Sequence, residues 1–200
     1  MVAEALVDAG IGRWFPEQEL RLGEDDKVTV PVKHTTFEHF RRWSLLENPL
    51  ESYQFLTTVR NPFDFWVSEY TRHRTRWIDG LGDPNSHIYS TKLGADMVAK
   101  SQELDFGDWL SYRWSRFGRK HRQFLHPQFT RDADRVLRFE RLAETFAEWL
   151  QSLGITETVT LPVKNVTERK RDYREYYDDD ARHLVERIFA PYLDRFGYAF

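Results

Sequence analysis

Tyr53–Trp77 reads YQFLTTVRNPFDFWVSEYTRHRTRW, and the fold turns on the junction at its centre. The apolar, β-rich run Phe55-Leu56-Thr57-Thr58-Val59 ends on Arg60. Asn61-Pro62 follows, and then Phe63, Trp66, Val67 and Tyr70 recur at the spacing of one helix face. Asparagine caps helices, and proline is tolerated at the first helical position, where its missing N–H costs nothing. The expectation is a strand, a sharp turn and a helix whose N-terminus directs partial positive charge above the strand. Arg60 stands at that mouth and Ser68 lies two turns in, on a less apolar face. A guanidinium and a hydroxyl beside a helix N-terminus suit a phosphate.

The rest of the chain limits what such a site can serve. Two hundred residues, 40% hydrophobic and 30% charged, suit a single globular domain over residues 1–200. A net charge of −3 argues against a general nucleic-acid or membrane-surface binder, because such proteins carry a global basic excess. Any anionic partner is therefore small and gripped locally. The absence of cysteine excludes disulfides, thiolate chemistry and cysteine-based zinc sites. No apolar run is long enough to span a bilayer and no signal-peptide pattern opens the chain, so the expected location is cytoplasmic.

Outward from the junction, helical and strand patterns alternate. Val2–Gly12 reads as a short helix closed by glycine. Val28–Val32 reads as a strand weakened by Pro31, and Lys33-His34-Thr35-Thr36 leads into a helical stretch ending at Trp43. Helical segments follow at Gly94–Lys100 and Phe106–Phe117, then a strand at Arg135–Phe139 and a helix over Leu142–Leu153 closed by Gly154. Leu161–Arg171 is a polar, basic loop. Asp178-Asp179-Asp180 opens the last helix, whose tail is expected to be broken by Pro191 and Gly197. This alternation favours an α/β fold with a parallel sheet. Ligands in such sheets bind beyond the carboxyl ends of the strands. Lys33-His34, Arg60 and Glu140, each after a strand, are expected to converge there.

Val59-Arg60-Asn61-Pro62-Phe63-Asp64-Phe65-Trp66-Val67-Ser68-Glu69-Tyr70 resembles the pattern V-R-[ND]-P-x-D-R-x-x-S-x-[YW] of sulfotransferases that use 3′-phosphoadenosine 5′-phosphosulfate (PAPS), in their carbohydrate-type and bacterial branch. Phe65 replaces the usual second arginine. Val136–Leu142 is similar to the family's R-[FY]-E-x-L strand segment. Asn165-Val166-Thr167, the basic run behind it, Tyr173–Tyr177 and Phe196-Gly197-Tyr198 resemble its C-terminal third. The resemblance covers residues 28–200. It implies a P-loop-NTPase-like three-layer sandwich, with a central parallel sheet flanked by helices. The implied activity is sulfuryl transfer from PAPS to a hydroxyl of a carbohydrate or glycolipid, without a metal. Arg60 and Ser68 become ligands of the 3′-phosphate, and Arg169 and Lys170 part of a loop covering the cofactor.

One departure stands out. The family's 5′-phosphosulfate loop, K-x-[AG]-[GST]-[ST]-[ST], does not occur in this sequence, and Val2–Gly12 resembles the helix that follows it. The expectation is a chain lacking the first strand and loop, and the alternative is a non-catalytic, sulfotransferase-like binding protein. Sulfuryl transfer needs a base for the acceptor hydroxyl. His34 is the candidate, because histidine accepts a proton near neutrality and related enzymes place a histidine before the Arg60-type strand. His39 is the fallback, and a surface or capping histidine is the plain alternative for either. For Arg60 the plain alternative is a pair with Asp64.

Trp77–Gln128 lies between the parts that resemble the cofactor scaffold and is the expected acceptor segment. Within it Arg113, Arg116, Arg119, Lys120, His121 and Arg122 interleave with Tyr112, Trp114, Phe117 and Phe124. Such a mixture can stack on a sugar and hold its anionic groups. Individually, these residues read more simply as a helix with aromatics inward and arginines in water.

Overall fold

A computed structural model of the chain describes residues 2–12, 18–21, 27–30, 37–90, 92–121, 130–162 and 172–200. The chain divides into two units, Met1–Val59 with His126–Lys164, and Arg60–Leu125 with Asn165–Phe200. The whole is helix-rich and mixed α/β. Among the described residues no helix is long and apolar enough to cross a membrane.

The first unit holds helix α1 (Val2–Asp8), strands β1 (Gln18–Arg21) and β2 (Lys27–Val30), helix α2 (Phe37–Trp43), strands β3 (Leu56–Val59) and β4 (Arg135–Arg138), and helix α7 (Leu142–Ser152). The strand expected at Val28–Val32 is β2, which stops before Pro31. It runs antiparallel to β1, with Gln18 opposite Val30, rather than joining a parallel sheet. Only five residues separate β1 from β2. A connection that short can close a hairpin but cannot make a parallel crossover. The parallel pairing is between β3 and β4, in register from Leu56↔Arg135 to Val59↔Arg138. Their carboxyl ends therefore lie side by side, as expected, while Lys33 and His34 fall outside the described residues. On β4, Leu137 packs with Leu142, Phe146 and Leu150, a stripe at four-residue spacing along α7. Gly154, at φ +74, closes α7 in the left-handed region.

The second unit is built around α3 (Pro62–Thr75), with α4 (His87–Ser90), α5 (Lys92–Glu103), α6 (Phe106–His121) and α8 (Asp179–Phe196). Phe63, Trp66, Val67 and Tyr70, the face read from the sequence, are all buried. They pack with Trp109 and Leu110 of α6 and with Val185 and Phe189 of α8. Burying such side chains contributes about 1.5–3 kcal/mol each, so Trp66→Ala alone would cost about 3–5 kcal/mol. Trp109, fully buried, donates its indole N–H to Met97 O on α5 at 3.2 Å, which satisfies its one polar atom.

The last helix departs from expectation. Asp178 caps it, accepting from Ala181 N at 2.7 Å, but Pro191 does not break it. The helix runs through the proline to Phe196 and ends only at Gly197, whose φ is 60. Pro191 is exposed, and packing of Ala181, Val185, Phe189 and Leu193 on the inner stripe holds the helix across it.

Candidate functional site: the mouth of helix α3

Strand β3 delivers Val59, 3% exposed, directly into Arg60 and the cap. Asn61 is the N-cap: its side-chain oxygen accepts from Phe63 N at 3.0 Å, and its carbonyl accepts from Phe65 N at 2.9 Å. Pro62 takes the first helical position. These bonds use the first turn's donors as capping requires.

The turn is fastened from the C-terminal part of the same unit. The Tyr192 hydroxyl accepts from Arg60 N at 3.2 Å and lies 3.3 Å from Arg60 O, to which it donates. The Asn61 amide donates to Ala199 O at 3.2 Å and to the Tyr173 hydroxyl at 3.4 Å. Tyr177 donates to Phe63 O at 3.0 Å. Burial pushes the Tyr177 phenol well above its ordinary value, with the Tyr173 phenol and Asp64 adding to the shift. Burial also raises Tyr173, against the opposing pull of Arg174. Both therefore remain neutral donors and acceptors across the physiological range.

Arg60 meets Asp64 one turn into α3. Its Nε donates to Asp64 Oδ2 at 2.6 Å, and its Nη2 pairs with the same oxygen. Side-chain exposures of 20% and 13% place the pair in a partly dry setting at the mouth. Asp64 thus orients the guanidinium and also offsets the positive end of the helix. Ser68 is 1% exposed, with Arg72 Nη2 at 3.5 Å from its Oγ. It lies roughly 10 Å along the axis from the Asn61 cap, at about 1.5 Å per residue. The structure places Arg60 just before the N-cap of α3, at its mouth, and Ser68 in the helix's packed interior.

His34, Arg169 and Lys170 lie outside the described residues. His39 stacks on Trp43 within α2, ring centroids 4.9 Å apart. In the basic stretch, Arg113 follows neither reading of the sequence. It is largely buried, with its guanidinium carbon 5.2 Å from the centroids of both Trp66 and Trp109. Burial lowers its pKa, opposed by nearby Glu69. Its Nη1 lies 3.4 Å from His73 Nε2, and His73 Nδ1 is 2.7 Å from Glu69 O. The carbonyl takes the Nδ1 proton, so Nε2 is the lone-pair side that accepts from Arg113.

Sequence reasoning missed Tyr192 and the Ala199 carbonyl, and it quoted Tyr173–Tyr177 only as resemblance. The one signal for them is the aromatic density of the last thirty residues. No protein-family model matches this sequence, and no curated protein or solved structure is significantly similar to it.

Proposed function

We propose that the chain is a PAPS-dependent sulfotransferase acting on a hydroxyl of a carbohydrate or glycolipid, on a P-loop-like sandwich with a central parallel sheet. The observation that carries this is the junction itself: a strand in a parallel pair runs without a linker into Arg60 and an Asn-capped, Pro-initiated helix. A guanidinium held at a helix N-terminus fits a phosphate dianion. Arg60 would hold the 3′-phosphate at the mouth. Ser68 would join it once binding uncovers its hydroxyl. Arg169 and Lys170 would cover the cofactor. The bound donor supplies the sulfuryl group and a phosphate leaving group. His34 would take the acceptor proton as the acceptor oxygen bonds to sulfur and the sulfur–phosphate oxygen bond breaks.

The test is thermal stability with PAP, the desulfated cofactor, for the parent chain and Arg60→Ala. At about 100 times its dissociation constant PAP stabilises by roughly 2.7 kcal/mol. Absence of that shift in the folded parent chain would sink the cofactor assignment.

The engagement of Arg60 by Asp64 favours a second reading, a sulfotransferase-like protein that binds without transferring. It expects PAP binding but no movement of labelled sulfate from PAPS to any saccharide in a mixed acceptor panel.

A further inference from the structure

A cavity of about 870 Å³ opens within the second unit, between the C-terminal half of α3, the α5–α6 link and the residues that precede α8. It lies beyond the mouth of α3; of the residues described there only Tyr177 lines it, while Arg60, Asp64 and Ser68 do not. Its size suits a ligand of a few sugar rings, at the upper end of the roughly 300–1,000 Å³ usual for binding pockets.

The chemistry of its walls is one-sided. The Thr71 and Thr75 hydroxyls donate to Val67 O and Thr71 O at 2.9 and 2.8 Å, and the Tyr70 hydroxyl donates to Leu104 O at 2.9 Å. The Gln102 amide nitrogen donates to Arg74 O at 3.0 Å and to Ser101 Oγ at 3.3 Å. Arg74 directs Nη1 at the Tyr70 oxygen, 2.5 Å away, and at Ser101 O, 3.2 Å away. Donors are thus largely committed to the protein, while acceptors remain. Asp105 and Asp178 each use one oxygen, on Asp108 N and Ala181 N, and keep the other. Phe106 and Tyr177, each next in sequence to one of these acids, contribute an apolar side, ring centroids 4.7 Å apart.

A ligand that fits brings several hydroxyl donors and an apolar face, as a pyranose does. Charge narrows the class further. Glu103 is paired with Lys100 at 2.5 Å, which leaves Asp105 and Asp178 against one lining guanidinium, Arg74, so a sulfated or carboxylated sugar is disfavoured. Arg113, which the sequence offered for anionic groups on an acceptor, is held between two indoles instead.

We propose that this cavity binds a neutral, unsulfated saccharide segment. This rests on the carbohydrate-acceptor reading above and deepens it, making the acceptor an uncharged glycan rather than a polyanionic one. The experiment titrates the cofactor-free full chain with maltotriose, cellotriose and chitotriose, with a heparin disaccharide as polyanion and with spermidine as polycation, by calorimetry and ligand-observed NMR. One or more neutral trisaccharides should bind saturably, and the heparin disaccharide and spermidine more weakly. Thr75→Trp and Gln102→Trp, both at exposed rim positions, should each weaken that binding about tenfold or more by occupying the cavity. Two variants on different helices guard against one failing to fold. The proposal is overturned if no neutral trisaccharide binds, if binding survives in every folded variant, or if the polyanion or polycation binds as tightly. PAP stabilisation without saccharide binding overturns the cavity assignment alone. Saccharide binding without PAP stabilisation overturns the sulfotransferase reading and leaves the cavity.

Discussion

Arg60 shares its guanidinium with Asp64 at the point where an anion would dock. Two substitutions separate orientation from charge. Arg60→Lys keeps the charge but loses the planar fork, so the PAP-induced shift in melting temperature should shrink markedly, by calorimetry. Asp64→Asn should leave the fold intact and strengthen PAP binding, because one carboxylate no longer competes with the phosphate; weaker binding would show that Asp64 is needed to aim Arg60. Tyr177 gives the pH test. Its folded-state pKa is raised by burial above an ordinary value of 10.0. Below about pH 10 the associated stability is fully present, and it is lost as pH climbs from there towards the folded value. Absorbance titration at alkaline pH should show one phenol resisting ionisation until unfolding, and Tyr177→Phe should remove it at a cost of about 1 kcal/mol. The pairing of Arg60 with Asp64 was legible in the sequence at four-residue spacing. The burial of Arg113 between Trp66 and Trp109 was not, since nothing in a basic run says which cation turns inward.

Helices were more legible than strands, because a 3.6-residue stripe is long and a four-residue strand carries little pattern. α3, α6 and α7 lie where their stripes put them, whereas Gln18–Arg21, polar but for Leu20, gave no strand signal. Pro191 shows a local rule yielding to packing. Proline within a helix costs about 3 kcal/mol in isolation, yet α8 continues through it. Pro191→Ala should therefore stabilise the protein by about 1–3 kcal/mol in urea denaturation, and a loss would show that the proline shapes the helix to its neighbours. Gly107 sits near the start of α6, where a Cβ would lie 2.6 Å from Asp178 Oδ2. The other oxygen of that carboxylate caps α8. Gly107→Ala should thus cost about 1–2 kcal/mol through a weakened cap, despite alanine's better helix propensity. The corresponding gain in stability on Asp178→Gly in the Gly107→Ala background is the check, read as a double-mutant cycle.

At the scale of the whole molecule, the sequence conveyed the α/β alternation and a parallel pairing, but not which two strands make it. Each unit draws on two separate stretches of chain, and such interleaving leaves no mark in local composition. The candidate site was half legible for the same reason: its α3 side is contiguous, while its tyrosines come from the far end of the sequence. Hydrogen exchange tests this arrangement. With PAP bound, protection should rise together in the first turn of α3, in residues 173–177 and in the second half of α8, while the β1–β2 hairpin stays unchanged. Protection confined to α3 would show that the tyrosines do not take part.

The Tyr192 hydroxyl, which closes both the N–H and the C=O of Arg60 across 132 residues of chain, also sets an order of events in synthesis. A ribosome releases strand β3 and helix α3 long before α8 exists, so the turn that aims Arg60 stays unfastened until α8 has been made. Contacts of such sequence separation form late and slowly. The nascent chain therefore carries Arg60 on an unfastened turn until Tyr192 has been made and folded against it.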